Sequence, residues 1–138
     1  MQVVRYAMIG FGGIAENRIA KEGFACDAAR FKPLKQAVLV GATDVNAKRR
    51  RAAQALGLTW YRDAAAVLSD PAVDAVFVAT NNLSHAEVAR QALEAGKAVI
   101  VEKPLAPTSR EARMLVKLAQ KKKLSLSVDH MMTHNVLN

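Results

Sequence analysis

The chain has 138 residues, enough for one domain with a buried core, and its 51% hydrophobic content marks it as globular rather than disordered. The single Cys26 forms no internal disulfide, no apolar run approaches the roughly 18 residues of a membrane helix, and the first residues enter a strand without a leader pattern, so the cytoplasm is the default location and a membrane is not expected as a partner. A formal net charge of +8 invites nucleic acid, but 5% aromatic content leaves few residues to stack on bases, and the runs Lys48-Arg49-Arg50-Arg51 and Lys121-Lys122-Lys123 read as solvated helix faces.

Residues 3–9 form an apolar run that predicts a buried first strand. The turn that follows, Gly10-Phe11-Gly12-Gly13-Ile14-Ala15, has the G-x-G-x-x-A spacing of a dinucleotide-binding strand-to-helix turn. Gly10 permits the tight turn, Gly12 lets a pyrophosphate approach the backbone, and Ala15 lets the next helix, residues 14–21, pack close to the strand. That helix would offer unpaired N–H groups to the phosphate. Gly10, Phe11, Gly12, Gly13 and Ile14 are therefore candidate cofactor contacts.

Residues 22–36 are irregular and long for such a connection. A second strand is expected over 37–43, with Asp44 at its end. A carboxylate there accepts hydrogen bonds from both adenosine ribose hydroxyls and repels a 2′-phosphate, which favours NAD over NADP. Lys48 and Arg49 keep NADP open, since a cation on that side holds a phosphate. Asp44 also reads as a helix cap, and the two roles coexist. A helix over 46–56 closes at Gly57. A short strand at 59–61 and a short helix at 64–68, capped by Asp63, follow.

Residues 73–79 predict a fourth strand, nearly all apolar as a strand covered on both faces should be. The helix over 83–95 starts at a capping-box pattern, Ser84 with Glu87, and ends at Gly96. A fifth strand is expected at 98–101. Thr108 and Glu111 form a second capping box, for a helix reaching about Lys121, before a sixth strand at 124–128.

Alternating strands and helices predict an α/β fold, a doubly wound Rossmann sheet with strand order 3-2-1-4-5-6. Ligands of such sheets lie outside the carboxyl ends of the strands. There stand Thr80, Asn81, Asn82 and His85 after strand four, Glu102 and Lys103 after strand five, and Asp129, His130 and His134 after strand six. His130 and His134 are four apart, but Met131 stands where the zincin pattern needs Glu, so no metal is expected.

Together these segments resemble the N-terminal domain of the Gfo/Idh/MocA oxidoreductases, the group of glucose–fructose oxidoreductase and inositol dehydrogenase. The resemblance rests on Gly10 to Ala15, Val73-Asp74-Ala75-Val76, Ala79-Thr80-Asn81, His85-Ala86-Glu87, Ala95-Gly96-Lys97 and above all Glu102-Lys103-Pro104-Leu105-Ala106. It implies an NAD(P)-dependent enzyme that moves hydride between the nicotinamide and a hydroxyl carbon of a sugar- or polyol-like substrate. It also implies that Lys103 lies near the nicotinamide and the substrate hydroxyl, and that the bond to Pro104 is often cis. His130 would reach the substrate side of the cleft. A proline disfavours helix at the residue before it, so Lys103 is held extended and aimed.

Family members run to well over twice this length, their second domain supplying most of the substrate pocket and the oligomer interface. Residues 1–128 are thus expected to form the dinucleotide-binding domain and 129–138 to begin a connection to a missing C-terminal substrate domain. The expectation is a truncated product, inactive alone and compatible with a homo-oligomer when whole. The alternative is a stand-alone dinucleotide-binding or regulatory module without catalysis.

Overall fold

The computed structural model describes residues 2–129. Six parallel strands form one sheet in the order β3-β2-β1-β4-β5-β6, as the alternation of elements requires. They are β1 (Val4–Ile9), β2 (Ala37–Thr43), β3 (Thr59–Trp60), β4 (Ala75–Val78), β5 (Ala98–Glu102) and β6 (Leu126–Asp129). The helices on its faces are a first helix, Ala15–Gly23, then α1 (Arg50–Ala55), α2 (Ala64–Ser69), α3 (His85–Glu94) and α4 (Ser109–Lys122).

The central strand β4 is apolar and buried on both sides because both of its faces are covered. Side chains alternate across the sheet, so successive residues enter different cores. Ala7, Ile9, Val76, Val78, Val99 and Val101 pack with Val67, Leu93 and Leu115 of the helices on one face. Met8, Leu39, Ala42 and Phe77 pack with Phe11, Ile19 and Ala53 on the other. Tyr6, Phe24 and Phe77 add a chain of tilted and edge-on rings to that second core, with centroids 5.1 and 6.4 Å apart.

Three local details differ from the sequence reading. The first helix is wound in π fashion, with the Phe24 N–H donating to Ile19 O, and extends to Gly23. The segment after β2 opens as a 3₁₀ turn, Ala47–Arg49, before α1 begins. The Ser84–Glu87 capping box does not form. A 3₁₀ turn, Asn82–Ser84, precedes α3, so the chain is already helical at Ser84, and Asn81 is the cap: its Oδ1 accepts from Leu83 N and Ser84 N at 3.1 and 3.2 Å. Glu87 pairs with Arg90 instead. The caps at Asp63 and Thr108 form as the sequence indicates, accepting from Ala66 N and Glu111 N.

Candidate functional site

The site begins where β1 turns into the first helix. Gly10 has a φ of +96°, which a side chain disfavours, and packs against the Ala79–Thr80 backbone after β4. This contact holds the glycine turn against the end of β4. Gly12, Gly13 and Ile14 are exposed, and a Cβ built on Gly12 or Gly13 meets nothing within 4 Å. The loop backbone therefore opens onto space that a phosphate can occupy. Ala15 is buried and lets the helix start close to the sheet.

Phe11 departs from its expected role. Its ring is fully buried in the core, its N–H donates to Asp44 Oδ2 at 2.6 Å, and its carbonyl accepts from Arg49 Nε at 2.7 Å. It anchors the loop from beneath rather than offering a contact. Asp44 thus holds Phe11, and its Oδ1 accepts from Asn46 N at 2.8 Å. The cap of the following turn is Asn46, not Asp44, through its bond to Lys48 N. Each carboxylate oxygen of Asp44 has a second lone pair left, enough for two ribose hydroxyls.

Gly12, Gly13, Ile14, Thr80, Asn82, His85, Glu102 and Lys103 line one cleft of about 370 Å³ across the ends of β1, β4 and β5. His85 is 1% exposed, and its ring joins the two sides of this cleft: Nδ1 lies 2.7 Å from Pro104 O and Nε2 lies 2.9 Å from Thr80 O. Its nitrogens are committed to the scaffold, and it forms part of the cleft floor. Ser84 Oγ bonds Thr80 Oγ1 at 2.7 Å on the same side. The Oδ1 of Asn81 is committed to its cap, and Asn81 does not line the cleft.

Lys103 is exposed at the rim, and the Lys103–Pro104 bond is cis. Burial pushes the Glu102 carboxyl up to about 7, the Asp129 carboxyl beside it pushes the same way, and one Glu102 oxygen is buried without a hydrogen-bond partner. An acid about half protonated at neutral pH thus adjoins the lysine. Asp129 pairs with Glu102 across β5 and β6 but lines a different groove, of about 520 Å³, with Phe77, Ile100 and Val128. Asp129 therefore does not face the cleft that the residues after β4 and β5 line. His130 and His134 lie outside the described residues, as does all but the first residue of the expected connection at 129–138. Among the described residues no group of His, Cys, Asp and Glu is arranged to hold a metal, and no helix is long and apolar enough to cross a membrane.

Sequence reasoning missed Glu16. Its Oε1 accepts from Arg49 Nη2 and its Oε2 pairs with Lys21 Nζ at 3.0 Å, drawing Arg49 over the Phe11 ring at 5.8 Å from the centroid. Glu16 and Arg49 are 33 residues apart, and no local pattern links them.

Residues 4–130 match the model of an oxidoreductase family with an NAD-binding Rossmann fold. D-apiose dehydrogenase of Paraburkholderia graminis is 35% identical over 124 residues, covering 88% of this chain and 31% of that protein. The crystal structure of an NAD-binding protein from Listeria innocua superposes with a TM-score of 0.80 at 33% identity, over 93% of this chain and 34% of its own. A 3-ketoreductase from Actinomadura kijaniata, solved in complex with TDP-benzene and NADP, superposes with a TM-score of 0.79 at 27% identity, over 98% and 42%. The chain spans about a third of the length of such relatives.

Proposed function

The chain belongs to the Gfo/Idh/MocA oxidoreductase family, and from that premise we propose that it holds NAD or NADP for hydride transfer at a hydroxyl carbon of a sugar- or polyol-like small molecule. The observation that carries this reading is the cleft itself, in which the open backbone of Gly12 and Gly13 faces Thr80, Glu102 and Lys103. The bound dinucleotide supplies the hydride acceptor and donor. The glycine turn receives its pyrophosphate, with the start of the first helix aimed at the charge. Asp44 receives the adenosine ribose on its free lone pairs. Lys103 donates a hydrogen bond to the substrate oxygen and stabilises negative charge there as the hydride leaves or arrives. Burial holds the Glu102 carboxyl up to about 7, so at neutral pH the adjoining residue carries only part of a carboxylate's charge.

Titration with NADH tests the reading, since binding needs only residues already in place. A saturable change in NADH fluorescence is expected. No change up to millimolar cofactor would refute it.

A further inference from the structure

Asp44 and Arg49 grip the same residue from opposite ends: the carboxylate takes the N–H of Phe11 and the guanidinium takes its carbonyl. A cation therefore stands within one residue's span of the carboxylate that would meet the ribose. An arginine so placed is the usual holder of a 2′-phosphate, because its planar fork matches phosphate oxygens. Here that arginine is already neutralised. Glu16 binds it through Oε1, and Lys21 steadies Glu16 from the other side at 3.0 Å. The Glu16 side chain is only 18% exposed, so the pair is partly sheltered from solvent.

From this we infer that Glu16 sets cofactor preference: by occupying Arg49 it denies the 2′-phosphate of NADP its cation and selects NAD. The inference rests on the dinucleotide-binding reading above and adds a residue to it. Asp44 repels the extra phosphate directly, while Glu16 acts through Arg49 and is a positioning residue. A phosphate entering beside Arg49 must displace Glu16 or tolerate its charge. Removing that charge leaves the guanidinium on the Phe11 carbonyl, with N–H donors free for the phosphate.

The test compares NADH and NADPH fluorescence titrations of the wild type, Glu16→Gln, Glu22→Gln and the double variant Glu16→Gln/Arg49→Gln. Glu22→Gln removes the same charge from an exposed pair with Arg18 on the same helix. The inference expects the wild type to bind NADH more tightly. It expects Glu16→Gln to shift the ratio of the two dissociation constants toward NADPH by about tenfold or more. Glu22→Gln should leave the ratio near that of the wild type, and the double variant should lose the shift. An unchanged ratio in Glu16→Gln overturns the inference. So does an equal shift in Glu22→Gln, which would make bulk charge the cause, or a shift that survives loss of Arg49. Loss of NADH binding in Glu16→Gln overturns it too, by making the pair a requirement of the loop itself. If the wild type binds neither cofactor, the dinucleotide reading fails first and the inference with it.

Discussion

Replacing Gly10 by alanine strikes the point where the glycine turn packs against the end of β4. The new Cβ would lie 2.4 Å from Ala79 O, 2.5 Å from Ala79 C and 2.7 Å from Thr80 N. All three are backbone atoms, so none swings aside as the tip of a side chain does. The φ of +96° adds a conformational cost of its own. Overpacking costs about 1–3 kcal/mol and a disfavoured backbone conformation about 1–3 more, so the loss should total about 2–6 kcal/mol. A domain of this size has only about 5–15 kcal/mol to lose. Urea unfolding followed by circular dichroism reads it as a lower midpoint at unchanged slope. Gly12→Ala provides the contrast. A Cβ there meets nothing within 4 Å and φ is not positive, so stability should change by less than about 0.5 kcal/mol. NADH affinity should nonetheless fall about tenfold, because the methyl group enters the space assigned to the pyrophosphate. A Gly10→Ala variant that unfolds within about 1 kcal/mol of the wild type, or a Gly12→Ala variant that loses as much stability as Gly10→Ala, would show that the contact with the Ala79–Thr80 backbone does not confine Gly10.

Asp44→Ala should weaken NADH about tenfold and NADPH less, since the lost carboxylate both bonds the ribose and repels a phosphate; an equal loss for both cofactors, in parallel titrations, would leave Asp44 only its anchorage of Phe11. Glu102 has a folded-state pKa of about 7 against an ordinary 4.5, so its neutral form contributes stability that is present below about pH 4.5 and is lost as pH rises through about 7. Glu102→Gln should flatten that fall in urea midpoints measured across the range, and an unchanged pH slope would remove Glu102 as its source. Lys97→Met leaves the Val73 carbonyl without its donor, while the Asp70 carbonyl keeps the Val73 N–H, and should cost about 1–3 kcal/mol in urea unfolding. Its NADH affinity should stay at the wild-type value, and a drop in affinity at unchanged stability would contradict a purely structural lysine.

The central strand was legible because a strand covered on both faces is apolar at every position, as 75–78 is. Strand order followed from connectivity and the hand of the crossovers. Helix starts were less legible, because Asn81 and Ser84 both suit a cap. What decides between them is a set of contacts around the turn: Ser84 Oγ is drawn to Thr80 four residues back, and His85 is fixed between Thr80 and the distant Pro104. The cofactor contacts assigned to Phe11 and Asn81 came from their places in the motif. Both are instead consumed in holding backbone, which no spacing rule distinguishes. The Glu16–Arg49 pair was illegible for a plainer reason. It joins the first helix to the 3₁₀ turn before α1, and those two segments, far apart in the chain, are brought together by the packing of Phe11, Ile19 and Ala53 in one core.

The segments that carry the family resemblance divide between the two ends of the sheet. Asp74, just before β4, accepts from Arg5 N, Nε and Nη2 at 2.8 to 3.0 Å, and this pairing holds its carboxyl down at about 2. Lys97, just before β5, is 8% exposed and donates to Asp70 and Val73 at 2.8 and 2.6 Å. Neither lines the cleft, yet each opens a strand whose other end does. From Asp74 the chain needs only β4 to reach Thr80, and from Lys97 only β5 to reach Glu102 and Lys103. The ladder from Ala75 opposite Ala98 to Val78 opposite Val101 fixes the offset of those two ends. His85 fixes it again from outside the ladder, through Thr80 and Pro104. Lys103 is therefore placed relative to Thr80 by two independent routes, one through the sheet and one through a buried ring. An exposed lysine on a loop owes its placement to the strand ladder and to the buried His85 ring as much as to the proline beside it.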